Sequence, residues 1–235
     1  MKKAVILAAG RGTRMGALTE DLPKPMLPVR GRPLLERNLD RLRQAGFDEA
    51  FLVIGYRGET IERHFAGYPM ALTFCRQQSV DGTGSATLLA REFVGGAAFL
   101  LTFGDIYMSA DDYRGIHDLL LADPEAVAAA GARWVDDPWQ GAAVYADSGR
   151  LVRIVEKPPP GTSTTNWNHA GLYAFRPEVF DFLQRVERSP RGEYELTSAV
   201  EAMIAAQRKL LLYAVTGPWR DVGRPEDLDA VQRLP

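Results

Sequence analysis

The chain is short of the side chains on which many enzymes lean: 1 cysteine and 3 histidines occur in 235 residues. Cys75 therefore has no partner for an internal disulfide and no companions for a thiolate metal site, which fits a reducing compartment. No charge of one sign prevails either. Lys and Arg number 28 against 30 Asp and Glu, a formal charge of −2, so there is no general field to hold nucleic acid or an anionic membrane. Any phosphate site has to be local. Long apolar runs are also missing. Met1 to Gly10 begins like a signal peptide, but Arg11 and Arg14 cut it short, and no stretch approaches the roughly 20 apolar residues of a membrane span. A cytoplasmic protein with neither nucleic-acid nor membrane partners is expected. What is present is ordinary: 46% hydrophobic and 25% charged residues, the balance of a self-folding domain rather than of a disordered chain, a collagen or a coiled coil.

Along the chain, residues 3–8 form a short apolar run of the kind that makes a central parallel strand. A glycine-rich loop and a proline cluster (Pro23, Pro25, Pro28) follow. Leu35, Leu39 and Leu42 then recur at helical spacing until Gly46. The alternation continues with a strand at 51–54, a helix near 58–65, a strand near 70–75 that holds Cys75, a helix over 84–93 and a strand at 98–102. Repeated βα units predict a parallel sheet. The second half changes character. Residues 140–146 and 150–156 flank Asp147-Ser148-Gly149 and predict a hairpin. A strand near 169–175, helices near 178–187 and 194–206, a strand at 209–215 and a helix from Pro225 complete the pattern. Pro158-Pro159-Pro160-Gly161 reads as a mobile polar loop.

The loop Gly10-Arg11-Gly12-Thr13-Arg14-Met15-Gly16 comes directly after the first strand. Glycines there let backbone N–H groups approach phosphate oxygens, and an arginine adds a forked donor. A dinucleotide-binding oxidoreductase would run from such a loop straight into a helix, whereas here Leu22 to Pro28 holds the chain extended. The Gly-Lys-Ser/Thr ending of a P-loop is absent as well.

The stretch Leu7 to Met15, closed by Lys24-Pro25-Met26, strongly resembles the signature of the sugar-1-phosphate nucleotidyltransferases, or nucleoside-diphosphate-sugar pyrophosphorylases. Further similar blocks follow in order at Gln77–Ala86, Leu100–Asp105, Glu156-Lys157-Pro158 and Trp219–Asp227. The resemblance implies a Rossmann-like, mostly parallel mixed α/β sheet flanked by helices, in one domain with a nucleotide-binding half of about 1–125 and a sugar-binding half of about 126–235. With the chain stopping soon after its last helix, no left-handed β-helix extension is expected.

The implied reaction is attack by a sugar-1-phosphate oxygen on the α-phosphorus of a nucleoside triphosphate, with release of pyrophosphate. Its nucleophile is already an anion, so charge neutralisation and in-line positioning matter more than a general base. By resemblance, Arg14 clamps the triphosphate and Lys24 contacts phosphate near the reacting centre. Ala8, Gly10, Gly12, Thr13, Gln77, Gly82 and Thr83 bind the nucleotide. Asp105, at the end of a predicted buried strand, and Asp221 hold Mg²⁺, which takes one or two carboxylates together with substrate phosphates; an aspartate before glycine is otherwise a common turn element. Gln77 offers the side-by-side donor and acceptor that suit uracil or thymine, with Gln78 as the alternative.

Gly141, Glu156, Lys157 and Asn168 would face the sugar phosphate. The family's usual Asn, two residues before a glycine, is His169 here, with Asn168 one step earlier; His169 either touches the sugar or is an ordinary strand residue, the latter reading being favoured, and His64 and His117 read as surface or boundary positions. These expectations favour dTTP or UTP with glucose-1-phosphate. A guanylyl- or cytidylyltransferase for mannose or heptose phosphates and a non-catalytic nucleotide-sugar sensor are the alternatives. A monomer and a homodimer both fit, with Leu183 and Met203 packing inside or across an interface.

Overall fold

A computed structural model describes residues 1–234. In chain order the strands and helices are β1 (Lys3–Ala8), β2 (Pro28–Val29), β3 (Arg32–Pro33), α1 (Leu34–Gln44), β4 (Glu49–Ile54), α2 (Gly58–His64), β5 (Ala71–Arg76), α3 (Thr83–Leu88), α4 (Arg91–Val94), β6 (Phe99–Phe103) and β7 (Ile106–Tyr107). They continue with α5 (Ala110–Ala122), β8 (Ala126–Trp134), β9 (Ala142–Asp147), β10 (Arg150–Glu156), β11 (Trp167–Phe175), α6 (Val179–Leu183), α7 (Leu196–Ala205), β12 (Lys209–Ala214), β13 (Arg220–Asp221) and α8 (Pro225–Val231). The chain divides into two compact units that interleave along the sequence. Unit one comprises Met1–Val80, Leu101–Arg114 and the chain from Gly217; unit two comprises Asp81–Leu100 and Gly115–Thr216. The sequence reading divides the chain once, near residue 125, whereas the chain passes between the two units four times.

In unit one the strands run in the order β5-β4-β1-β6, with β1, β4 and β5 parallel. Residues 4–8 are buried, as a strand covered on both faces requires. Helix α1 turns Leu34, Leu35, Leu39 and Leu42 inward, has Glu36 in its first turn and Arg41 and Arg43 in its last, and stops before Gly46, whose φ of +87° favours glycine. Its buried Asn38 donates from Nδ2 to the carbonyl of Ile106 at 2.6 Å, so α1 fixes the strand that begins just after Asp105. Met15, Leu27, Val29, Leu34, Tyr107, Val222 and Val231 close a small core beneath the glycine-rich loop.

Unit two has the mixed order β11-β8-β12-β10-β9. The predicted hairpin is present: β9 and β10 pair antiparallel, from Arg150 opposite Asp147 to Glu156 opposite Ala142. Leu183 and Met203 are buried within this unit's own packing. Three expectations change. The helix foreseen over 84–93 is broken into α3 and α4, and the Thr87 hydroxyl, bonded back to the Thr83 carbonyl at 2.7 Å, is a bend of the kind that i−4 side-chain bonds impose. The helix foreseen to 187 ends at Leu183. His117 is buried, 3% exposed, rather than at a surface or boundary position.

Candidate functional site

Unit one holds Arg14, Lys24, Asp105 and Asp221 of the charged residues singled out in the sequence. Strand β1 ends at Ala8, and Gly10 is exposed beyond it. Gly12 follows with φ +70°, capping a 3-10 turn, Thr13–Thr19, that carries Arg14. The Gly12 carbonyl accepts from the Met15 N–H at 2.9 Å and from the Thr19 hydroxyl at 2.9 Å, which pins the loop from its far end. A Cβ at Gly12 would lie 2.8 Å from Cβ of Lys24, so the loop rests directly on the lysine stem. Lys24 begins a second 3-10 turn, Lys24–Met26, behind Pro23, and is only 6% exposed.

Its ammonium donates to Asp105 Oδ2 at 2.5 Å. Asp105 is placed by Gly104, whose N–H donates to the carbonyl of Leu7 at 2.9 Å. Opposite, β13 pairs with β7, Asp221 facing Ile106, and the Val222 N–H donates to the Asp105 carbonyl at 3.0 Å. The two aspartates are thus backbone neighbours. Asp221 is exposed along one side, yet crowding by protein on the other, together with the charge of Asp105, pushes its carboxyl up to about 6; Lys24 and Arg14 oppose that shift. The turn bearing Asp221 is braced by Asp227, which takes both a two-pronged contact from Arg220 (3.0 and 2.6 Å) and the N–H groups of Gly223 and Arg224. Among the described residues no group of three or more His, Cys, Asp or Glu converges as a metal cage. Two neighbouring carboxylates are nonetheless the donor set Mg²⁺ takes when phosphate oxygens complete its shell. Gln77, just past β5 and 9% exposed, has its N–H on the Ile54 carbonyl at 2.9 Å; Gln78 is exposed.

Unit two brings together the residues expected to face a sugar. The Lys157 N–H, at a left-handed φ of +42°, donates to the Gly141 carbonyl at 3.1 Å. Asn168 donates from Nδ2 to the Pro138 carbonyl at 2.6 Å, and a Cβ on Gly141 would collide with its Oδ1. Gly141, Glu156, Lys157 and Asn168 therefore form one connected corner, with the Asn168 amide engaged in holding the loop before Gly141. His169 sits in the irregular part of β11. Its Nδ1 accepts from the Gly171 N–H at 3.2 Å, which leaves the proton on Nε2 to be donated to the Leu172 carbonyl at 3.2 Å. The ring stacks on Tyr173 at 4.0 Å, and burial holds its imidazole down to about 4. It serves the strand as a neutral clasp.

Around Glu156 the structure adds residues that the sequence did not single out. Arg191 lies 3.3 Å from Glu156 and 3.6 Å from the buried Glu195. Burial, then the charge of Glu195, raises the Glu156 carboxyl above its usual range, and Lys157 and Arg191 pull the other way. The charge-rich run Arg191-Gly192-Glu193-Tyr194-Glu195 was the available signal, but acids just before a helix are common for reasons of helix polarity alone. Gly82 and Thr83 also belong to this unit, and the Thr83 hydroxyl accepts from the Leu196 N–H at 3.0 Å.

Solved UDP-glucose pyrophosphorylases share this architecture. One bound to UDP-glucose matches with a TM-score of 0.88 over 99% of this chain and 97% of its own at 20% identity; that of Acinetobacter baumannii gives 0.86 over 99% and 92% at 23%. The fold is that of the nucleotide-diphospho-sugar transferases. A sequence model described as Nucleotidyl transferase matches residues 3–234, and the chain belongs to that family. The bifunctional protein GlmU of Methanococcus aeolicus is 36% identical over 226 residues, 96% of this chain and 52% of that relative. The UTP-glucose-1-phosphate uridylyltransferase AglF of Haloferax volcanii is 34% identical over 245 residues, 99% of this chain and 96% of the relative. The chain spans about half the length of the GlmU proteins it matches. No helix among the described residues is long and apolar enough to cross a membrane.

Proposed function

We propose that the chain transfers a nucleotidyl group from UTP or dTTP to a sugar-1-phosphate, with glucose-1-phosphate the favoured acceptor, and that it does so in the cytoplasm. The observation that carries this reading is the unit-one cluster, in which a glycine-rich loop rests on a buried lysine that is paired with one of two neighbouring aspartates. Near-complete coverage of a relative named as a UTP-glucose-1-phosphate uridylyltransferase supports the choice of substrates.

In the step, an oxygen of the sugar phosphate forms a bond to the α-phosphorus as the bond from that phosphorus to the bridging oxygen breaks, and pyrophosphate departs with the electron pair. Arg14 and Lys24 bring cationic donors to phosphate oxygens, and backbone N–H groups of the loop from Gly10 to Thr13 add neutral ones. Asp105 and Asp221 would hold Mg²⁺, which when bound supplies charge neutralisation of the triphosphate. A triphosphate would draw Lys24 partly away from Asp105 and free that carboxylate for the metal. Gln77 reads the base edge. Glu156 accepts hydrogen bonds from sugar hydroxyls, Lys157 contacts the sugar phosphate, and Gly141 and Asn168 shape the wall beside them.

The test is pyrophosphate release with Mg²⁺, offering UTP, dTTP, CTP, GTP and ATP separately with a panel of sugar-1-phosphates. Strong release with UTP or dTTP and glucose-1-phosphate is expected. Preference for GTP or CTP with another sugar phosphate would replace the substrates, and silence from folded, nucleotide-binding protein would overturn the reaction.

A further inference from the structure

Within unit one, the two aspartates proposed to hold Mg²⁺ depend on a very short ladder. Strands β7 and β13 pair over two residues only, Arg220 opposite Tyr107 and Asp221 opposite Ile106. So short a ladder does not hold its own register, and a slip of one residue would turn Asp221 to the other face and bring Arg220 or Val222 opposite Ile106. The register has to be set from the ends of the ribbon. At the end nearer the site the Val222 N–H donates to the Asp105 carbonyl at 3.0 Å, and β7 is held from behind by Asn38 on the Ile106 carbonyl. Neither bond reaches the chain that leads into β13.

The far end is closed by Asp112. Its Oδ2 accepts from the Ser109 hydroxyl at 2.6 Å and from the Gly217 N–H at 3.1 Å. Ser109 comes just after β7 and Gly217 just before β13, so one carboxylate oxygen ties the two strands where they diverge. A Cβ on Gly217 would collide with Ser109 Oγ and Asp112 Oδ2, so the knot closes only on bare backbone. Part of the arrangement is an ordinary helix start: the Ser109 hydroxyl oxygen accepts from the Asp112 N–H at 3.0 Å, as the residue before a helix commonly does. A capping acid has no need to be buried, however, and Asp112 is 1% exposed. A buried carboxylate is tolerated where its oxygens are bonded, and the bond that α5 does not require is the one from Gly217.

We infer that Asp112 is a positioning residue of the metal site: from the far end of the ribbon it sets the register that places the Asp221 carboxylate beside Asp105. The inference rests on the function proposed above, in which those two carboxylates hold the metal. Asp112 acts through the Gly217 N–H and the strand that follows it, so what it contributes is the spacing of the pair.

The experiment measures the Kd of Mn²⁺, a paramagnetic stand-in for Mg²⁺, on the full chain without substrates, from the loss of the free ion's electron paramagnetic resonance signal, together with the thermal midpoint of each variant. The wild type is expected to bind the ion at a site that Asp221→Ala abolishes. Asp112→Ala is expected to weaken that binding about tenfold, the lower end of what losing a group that orients a metal ligand costs, and Asp112→Asn, which keeps an oxygen for Ser109 and Gly217, to restore it. Gly217→Ala opens the same knot from the other side with every carboxylate in place; it is expected to weaken the ion likewise, and decides the matter if Asp112→Ala does not fold. Ser109→Ala separates positioning from capping, since it removes the helix cap but leaves Asp112 its bond from Gly217: the thermal midpoint should fall and the Mn²⁺ affinity stay. Unchanged affinity in folded Asp112→Ala or Gly217→Ala overturns the inference, as does a loss in Ser109→Ala equal to that in Asp112→Ala. Mn²⁺ binding that is absent, or that survives Asp221→Ala, is a different failure: it removes the metal pair itself, and shows before any variant of Asp112 is made.

Discussion

The two units handle charge in opposite ways. In unit one each acid of the site lies near a base: Lys24 on Asp105, Arg14 and Lys24 near Asp221, Arg220 on Asp227. In unit two Glu156, Glu195 and Glu201 press on one another, and Arg191 and Lys157 are the cations around Glu156. Burial followed by the charge of Glu195 raises both Glu156 and Glu201. Behind them stands a stack of rings, His169 on Tyr173 and Tyr173 on Phe175, that carries no charge. A site rich in cations and metal-type carboxylates suits a polyphosphate; one of carboxylates against rings suits a ligand that donates many hydroxyl hydrogens. On the function proposed above, the phosphate work falls to unit one and the glycosyl recognition to unit two.

Removing charge from unit one should therefore have the largest effect. Asp105→Ala removes the carboxylate proposed to hold Mg²⁺ and the ion-pair partner of buried Lys24, so turnover is expected to fall roughly a thousandfold, the scale of losing one preorganised electrostatic group. Circular dichroism should show the fold retained. Near-normal turnover from the folded variant would remove Asp105 from the metal site and undo the contrast.

The next effect concerns the uncharged stack of unit two. His169 in the unfolded chain titrates near 6.5, and in the folded chain burial holds it down to about 4. Between those values the unfolded state binds more protons, so this group's contribution to stability is complete above about 6.5 and is lost as pH falls toward 4. The loss is at most about 3.4 kcal/mol, from 1.36 kcal/mol per pKa unit. Imidazole carbon shifts should stay at their neutral, Nε2-protonated values from pH 8 to 5; a midpoint near 6.5 would mean that the ring is solvated and the stack open.

Glu156→Gln tests the acid side of the same unit. The amide keeps one acceptor but loses the charge that strengthens a hydroxyl's hydrogen bond, a difference of about 1–2 kcal/mol. KM for the sugar phosphate should rise about tenfold with kcat much less changed, and equal losses in kcat at saturating sugar phosphate would move Glu156 into the reacting centre.

Much of unit one is readable from sequence because its signals are local. Residues 3–8 are a buried strand wherever they are placed, and Gly12, Pro23 and Pro25 impose turns through their own backbones. Asp105 and Asp221 are 116 positions apart, and only the pairing of β13 with β7 makes them neighbours. Unit two is harder. Strand β8, Ala126-Val127-Ala128-Ala129-Ala130-Gly131-Ala132, is built of residues that favour helices or loops, and becomes a strand because β11 and β12 pair with it on either side. Gly131 has a use that no spacing announces, since a Cβ there would lie 3.0 Å from that of Leu172. His169, likewise, became legible only when its two nitrogens were seen to close the bulge around Gly171. Arg191 and Glu195 gain meaning from Glu156, far off in sequence and reached through the fold.

Gln77 sharpens the comparison most finely, because in unit one it would read a neutral base rather than a charge. It is buried just past the edge strand β5, where Gln78 is exposed. An amide presents N–H and C=O together, matching the O4 acceptor and N3–H donor of uracil and thymine, whereas an ionised carboxylate presents acceptors only. Gln77→Glu should lower kcat/KM for UTP and dTTP by about tenfold, one charged-for-neutral hydrogen bond mismatch, while kcat/KM for GTP falls less. Gln78→Glu, made beside it, should leave the ranking of nucleotides as it is. If the two variants exchange behaviours, base reading passes to the exposed neighbour; if neither changes the ranking, it leaves the 77–78 turn altogether and falls to the 81–84 loop, making unit two responsible for the base as well as the sugar and confining unit one to phosphate and metal.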